Sequence, residues 1–228
     1  MSSPTPIFEV QNLTIVIVAK NHNPTVLNPD FLKHNNIVPA NWELAGPAFC
    51  IDPIAKVSFL SGVNIVAQSD RVSFTEGIAG KTMEAVSIPE IASQYVSTLK
   101  HVNYRAVGIN PSGFVTVAED EKATRDFIVK KFFPPSLLGC ISPRPESGGV
   151  KLSSVSDGWK LTLSADEGVA QAPGKAPAPV VLFEGNFHHD LVGNSIDDRL
   201  KQLHDRLKEW PKLVENFSNA VARILSIQ

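Results

Sequence analysis

The chain has 228 residues, 43% of them apolar, and its 21 Lys and Arg against 23 Asp and Glu leave a formal charge of −2. That length buries a core without metal or disulfide help and suits one domain over 1–228, with about 1–133 and 134–228 as candidate pseudo-duplicated halves. The balanced charge offers no basic excess to displace counterions from a polyanion, so nucleic acid is excluded as an expected partner.

Cys50 and Cys140 show no CxxC or Cys/His spacing, and we read them as reduced thiols of a cytoplasmic protein. The opening MSSPTPIFEV has neither a basic n-region nor a continuous apolar run, and Ile15 to Ala19 is too short to span a bilayer. A soluble chain with no membrane partner is therefore expected.

IFEVQNLTIVIVAK (7–20) is rich in β-branched residues and predicts a buried strand. Asn28 then caps a short helix with Pro29 at its first position, Asp30 in its first turn, and Leu27 and Leu32 at staple spacing. Residues 36–54 carry three prolines and read as an irregular loop. Over 56–77, Val57, Phe59, Val63, Ile65 and Ala67 share one face of an extended strand, with Gly62 as a bulge. Val72 and Phe74 return after a turn at 68–71, which completes a hairpin.

SIPEIASQYVSTLKHV predicts a helix with a Ser87/Glu90 capping box and an apolar stripe from Ile88 to Leu99. NYRAVGINPSGFVTVAED predicts a second hairpin, turning at Asn110-Pro111-Ser112-Gly113. A helix over 120–133 stops at Pro134-Pro135. Residues 134–149 read as a loop, 150–165 as a third hairpin turning at Asp157-Gly158, 167–179 as a mobile Pro-rich segment, and 180–189 as a last strand. Strands arranged in hairpins with helices between them give an α+β fold: a mostly antiparallel sheet with helices packed on one face.

From Ile196 through Leu200, Leu203, Leu207, Trp210, Val214, Phe217 and Val221 to Ile224, apolar residues repeat at alternating intervals of four and three. Asn194 or Ser195 caps this run. Pro211 lies inside it, where an uninterrupted helix loses about 3 kcal/mol. The helix either bends near Leu207 or ends and restarts with Pro211 in a new first turn. The unbroken phase of the stripe favours a long, kinked helix laid on the sheet over a zipper between subunits.

His188, His189 and Asp190 form the one cluster of reactive type, a base or metal-ligand set on one reading and a polar turn on the other. In an extended chain His188 and Asp190 share a side and His189 faces away, a poor chelate. Arg105 within an apolar strand faces either solvent or a buried acid, and Trp42 in a Pro-rich loop plugs the core or anchors a partner. Lys130-Lys131-Phe132-Phe133 reads as a helix end. No phosphate loop, nucleophile elbow or zinc-protease motif occurs, and no catalytic, cofactor or metal residue is assigned.

LNPDFLKHNNIVPANWE and NYRAVGINPSGF resemble segments of sporadically distributed, uncharacterised bacterial proteins of similar length. The resemblance implies a bacterial origin and carries no activity with it. The expected role is non-catalytic, in assembly or interaction with a protein partner or a second copy. The alternative is a fold resembling the helix-grip type, with a small apolar ligand held in a cavity lined by Leu203, Leu207 and Trp210 beneath the terminal helix.

Overall fold

The computed structural model describes residues 8–227 apart from 118, 119, 142, 144, 146, 172, 173, 175 and 194. The fold is α+β. The first half comprises β1 (Glu9–Lys20), α1 (Pro29–His34), β2 (Phe49–Ile51), β3 (Ile54–Ser58), β4 (Asn64–Gln68), β5 (Arg71–Gly77) and α2 (Ile88–Thr98). The second comprises β6 (Asn103–Val115), α3 (Glu121–Phe132), α4 (Pro135–Leu138), β7 (Val150–Ser156), β8 (Trp159–Ala170), β9 (Ala178–Asp190), α5 (Ile196–Lys208) and α6 (Trp210–Ser226). Among the described residues, nine strands form one antiparallel sheet in the order β2-β3-β4-β5-β1-β6-β9-β8-β7.

Each half opens on a long strand and then carries a helix. A meander follows whose last strand pairs back onto the first, and a closing helix ends the half. The recurrence divides the chain between α2 and β6, well before residue 133. The two long strands, β1 and β6, meet at the centre.

Strand alternation gives the sheet two unlike faces. On one, Val57, Ile65, Phe74, Ile15, Ile109 and Phe187 stand opposite one another in register, all buried. The stripe of α2 (Ile88, Ile91, Ala92, Tyr95, Val96) and that of α5–α6 cover this face. Phe217 of α6 is in edge contact with Phe8, 5.6 Å between centroids, and lies so close to Gly185 that a Cβ there would meet its ring at 2.8 Å.

The terminal rod breaks at one residue. Glu209 closes α5 and opens α6 while keeping right-handed helical angles (φ −77°, ψ −8°). Pro211 therefore falls in the first turn of α6, where its missing N–H breaks no helical bond. Ser195 caps α5 through the Asp198 N–H, and Asp198 reciprocates; Asn194 lies outside the described residues. Leu203, Leu207, Trp210, Val214, Phe217 and Val221 are buried, but Ile196 is 42% exposed and Ile224 only partly covered, while Leu213 and Leu225 join the core. A 3.6-residue turn drifts against a seven-residue repeat, which moves the covered stripe by its ends.

Several local expectations fail. The extended run 56–67 is two strands, because the backbone turns over Phe59–Val63 with Gly62 at φ 89°. Gly62 thus makes a turn and no bulge. The loop 36–54 contains β2 and the first residue of β3, joined through a cis Asp52–Pro53 peptide. Residues 134–149 include the single turn α4, and β8–β9 pairing extends to Ala170 and Ala178.

The hairpin expected over 103–120, of which 118 and 119 lie outside the described residues, is the single strand β6. Its Asn-Pro-Ser-Gly stretch has turn propensity, yet Val107, Ile109, Pro111, Gly113 and Val115 keep a buried alternation, and strands on both sides hold the segment extended. Gly113 is there for close approach: a Cβ would sit 2.5 Å from the Glu9 carbonyl oxygen.

Ser87 does not cap α2 with its side chain. The Glu76 carboxylate does so from β5, accepting from the backbone N–H groups of Ser87 (2.8 Å) and Ile88 (3.0 Å) and from the Ser87 hydroxyl. Its other oxygen meets Lys81 Nζ at 2.7 Å. A buried carboxylate at the positive end of a helix is a stronger acceptor than a hydroxyl, which explains the exchange.

Candidate functional site

The second face of the sheet carries a polar row. In the row beside Val57–Phe187 stand Ser58, Asn64, Thr75 and Thr14 on the first half. The same row continues on the second half through Asn110, Asn186, Thr162 and Ser153, with β6 and β9 in one register on either side of Asn110. Thr14 and Thr75 share a hydroxyl hydrogen bond of 3.0 Å, and Ser153 and Thr162 one of 3.2 Å.

Over β6, β9 and β8 this row forms the floor of a cleft of about 300 Å³ that also takes in Ser112, Ser164, Glu184 and Lys151. Pro111 has no N–H, and the β6–β9 ladder breaks off at Ile109 and resumes at Ser112. The side-chain oxygen of Asn110 is buried here without a hydrogen-bond partner, an uncommon condition for a carbonyl oxygen.

His188 and Asp190 lie on this face, His188 Nε2 to Asp190 Oδ1 at 3.2 Å, next to Gly108 and Ala106 of β6. His189 projects to the other side, where its Nδ1 donates to the Gly158 carbonyl and its ring packs on Trp159, 5.6 Å between centroids. Among the described residues no group of three His, Cys, Asp or Glu side chains is placed to hold a metal ion. Arg105 is exposed at a bulge of β6, and its carbonyl accepts from Leu191 N–H. Trp42 packs edge-on against Phe59 at 5.2 Å. Lys131 donates from Nζ to the carbonyls of Leu225 and Ile227, fastening the end of α3 to that of α6.

Leu203, Leu207 and Trp210 are buried core residues, and none of them lines the clefts along α6 and beside Trp159. Two apolar clefts touch the rod: one of about 320 Å³ along α6 between Val214, Phe8, Val10 and Val86, and one of about 100 Å³ between Leu213 of α6 and Trp159, Leu161 and Phe187 of the sheet. Around Leu203 and Leu207 the side chains of α5 pack on β6 and α2. His204 shows how tightly: its Nδ1 and Nε2 reach the hydroxyls of Ser93 (2.8 Å) and Ser97 (3.2 Å) on α2.

The sheet has two edges of different character. β2 is three residues long and ends at Asp52–Pro53. β7 is seven residues long, pairs with β8 without a register shift, and leaves Leu152 57% and Val155 78% exposed. Asp157 and Gly158 make its two-residue turn, both at positive φ (53° and 78°). A two-residue turn makes Ser156 and Trp159 the hydrogen-bonded pair. Alternation then points the N–H and C=O of Val155, Ser153 and Lys151 away from β8.

Neither the polar row nor the open edge was visible as a site in the sequence, because both are defined by strand order and register. No helix among the described residues is long and apolar enough to cross a membrane. No family model matches the chain, and no curated protein matches it.

Proposed function

We propose that the chain is a non-catalytic assembly protein whose β7 edge pairs antiparallel with β7 of a second copy. The observation that carries this reading is the edge itself: a regular, unbulged strand with exposed Leu152 and Val155 and outward backbone groups at Lys151, Ser153 and Val155. Soluble proteins shield such edges with bulges, prolines, charged side chains or very short strands; β7 has no bulge and no proline, and a single charge, Lys151.

The strand is also self-complementary. With Ser153 on the twofold axis all seven residues overlap, Lys151 stands opposite Val155, and Leu152 stands opposite Ser154. The two lysines avoid each other, and the two Leu152 side chains become diagonal neighbours within reach of contact. Cys50 and Cys140 are unpaired thiols, which suits the cytoplasm of a bacterial cell, the location this reading assigns.

Light scattering across a concentration series tests the pairing. Wild type is expected to shift from the 24.7 kDa chain towards twice that mass as concentration rises. Ser153→Pro is expected to hold it at the single-chain mass with its fold intact, since proline is tolerated in an edge strand whose N–H faces solvent. A wild type that stays single at every concentration, or a Ser153→Pro variant that doubles equally well, contradicts the reading.

A further inference from the structure

We propose that the cleft over Asn110 binds a neutral, polyhydroxylated small molecule of about one sugar ring. This goes beyond the pairing of β7 and does not depend on it. The floor carries Asn110, whose side-chain oxygen is buried with no partner, and a turn of this amide towards a hydroxyl in the cleft would satisfy it. A hydroxyl both donates and accepts, and so satisfies either end of the amide.

The two charges at the cleft are of opposite sign. Glu184 and Lys151 both neighbour Ser164 through strand pairing, from β9 and β7. A ligand anion would meet Glu184 and a ligand cation would meet Lys151. A polyol meets both favourably, donating to the carboxylate and accepting from the ammonium.

The remaining polar lining is hydroxyl and amide: Thr14, Ser112, Thr162, Ser164 and Asn186. Hydrogen bonds to Thr75 and Ser153 hold Thr14 and Thr162 in place before any ligand arrives. No aromatic side chain lines the cleft, so nothing there stacks on a nucleobase, and the polar floor rejects an apolar occupant. About 300 Å³ is the lower end of the range for small-molecule sites.

The test is an NMR titration of ¹⁵N-labelled protein with D-glucose, D-mannose, myo-inositol and glycerol, each up to about 50 mM, above the millimolar affinity expected of a handful of hydrogen bonds. Inorganic phosphate and putrescine serve as charged counterparts. At least one polyol is expected to give saturable shifts of the Asn110 and Asn186 side-chain amides. Asn110→Leu is expected to weaken that binding about tenfold or more. Because Asn110 lies in a central strand, Thr162→Val and Glu184→Gln are run beside it, each expected to weaken binding by about three- to tenfold with an unchanged circular dichroism spectrum. The proposal is overturned if no polyol gives a saturable shift, if only phosphate or putrescine does, or if Thr162→Val and Glu184→Gln bind as wild type does.

Discussion

Trp159 donates its indole N–H to the Glu209 carboxylate at 2.8 Å, and so ties the first residue of β8 to the single residue between α5 and α6. The other Glu209 oxygen accepts from Arg206 at 2.8 Å, whose guanidinium lies 5.6 Å from the centroid of the same indole. The break in the rod is therefore held in position by the sheet. Its place was set by Pro211, which cannot continue the ladder, and its orientation by Trp159.

Removing the carboxylate strands the buried indole N–H. Glu209→Ala is expected to lower unfolding free energy in urea by about 1–3 kcal/mol, the cost of an unsatisfied buried donor. Pro211→Ala, by contrast, is expected to change stability by less than about 1 kcal/mol, because the proline sits in a first turn and not in a helix interior. A loss of about 3 kcal/mol on replacing Glu209 with no loss beyond wild type on replacing Trp159 by Phe would contradict the link between them.

Glu76 is 1% exposed and serves three donors of the α2 start besides Lys81. Glu76→Ala leaves two backbone N–H groups and an ammonium without their acceptor, and is expected to cost about 3 kcal/mol in chemical denaturation. Glu76→Gln keeps one acceptor oxygen for the helix and loses the pairing with Lys81, so its cost should be smaller. Equal stability of Glu76→Ala and wild type would refute the capping role.

His22 sits in the core between the Gln68 carbonyl (Nδ1, 3.0 Å) and the Tyr95 hydroxyl (Nε2, 2.8 Å). A carbonyl only accepts, so Nδ1 carries the proton and Nε2 accepts from Tyr95, whose phenol burial keeps protonated. Burial lowers the His22 pKa, opposed by its bond to Gln68. The folded value thus lies below the unfolded one. The unfolded chain takes up the proton first as pH falls below about 6.5. The stability contribution is complete above that pH and is lost as pH falls through the depressed folded value. His204, lowered by burial and then by Lys208, adds the same sign.

Stability measured from pH 7.5 down to pH 5 should therefore fall in wild type, and fall less in His22→Gln, which can donate to Gln68 and accept from Tyr95 without titrating. Identical slopes in the two proteins would show that His22 carries no part of the dependence.

How far the sequence reaches is clearest at β6 and β7. Asp157-Gly158 specifies its turn locally through two positive φ values, and the hairpin it predicts is the one observed. Asn110-Pro111-Ser112-Gly113 has comparable turn chemistry, yet β1 and β9 flank it on either side and keep it extended. Local propensity decides where no partner competes. In the centre of a sheet the neighbours decide, and those neighbours come from the far ends of the chain.

The candidate sites follow the same division. That His188 and Asp190 share a face while His189 turns inward needs only the two-residue period of a strand. That Asn110 lines a floor with Thr14 and Asn186 needs the strand order, which no local pattern encodes. The terminal rod was legible as an amphipathic stripe, but Leu213 and Leu225 join its buried side only because the helix drifts against the heptad and restarts at Glu209.

Amide hydrogen exchange at Lys151, Ser153 and Val155 tests the pairing of β7 most directly, since their N–H groups point away from β8. Exchange at these three positions should slow as protein concentration rises through the association range, while in Ser153→Pro the amides of Lys151 and Val155 stay fast at every concentration. Exchange in wild type that stays fast at all three positions, whatever the concentration, would contradict assembly through this edge.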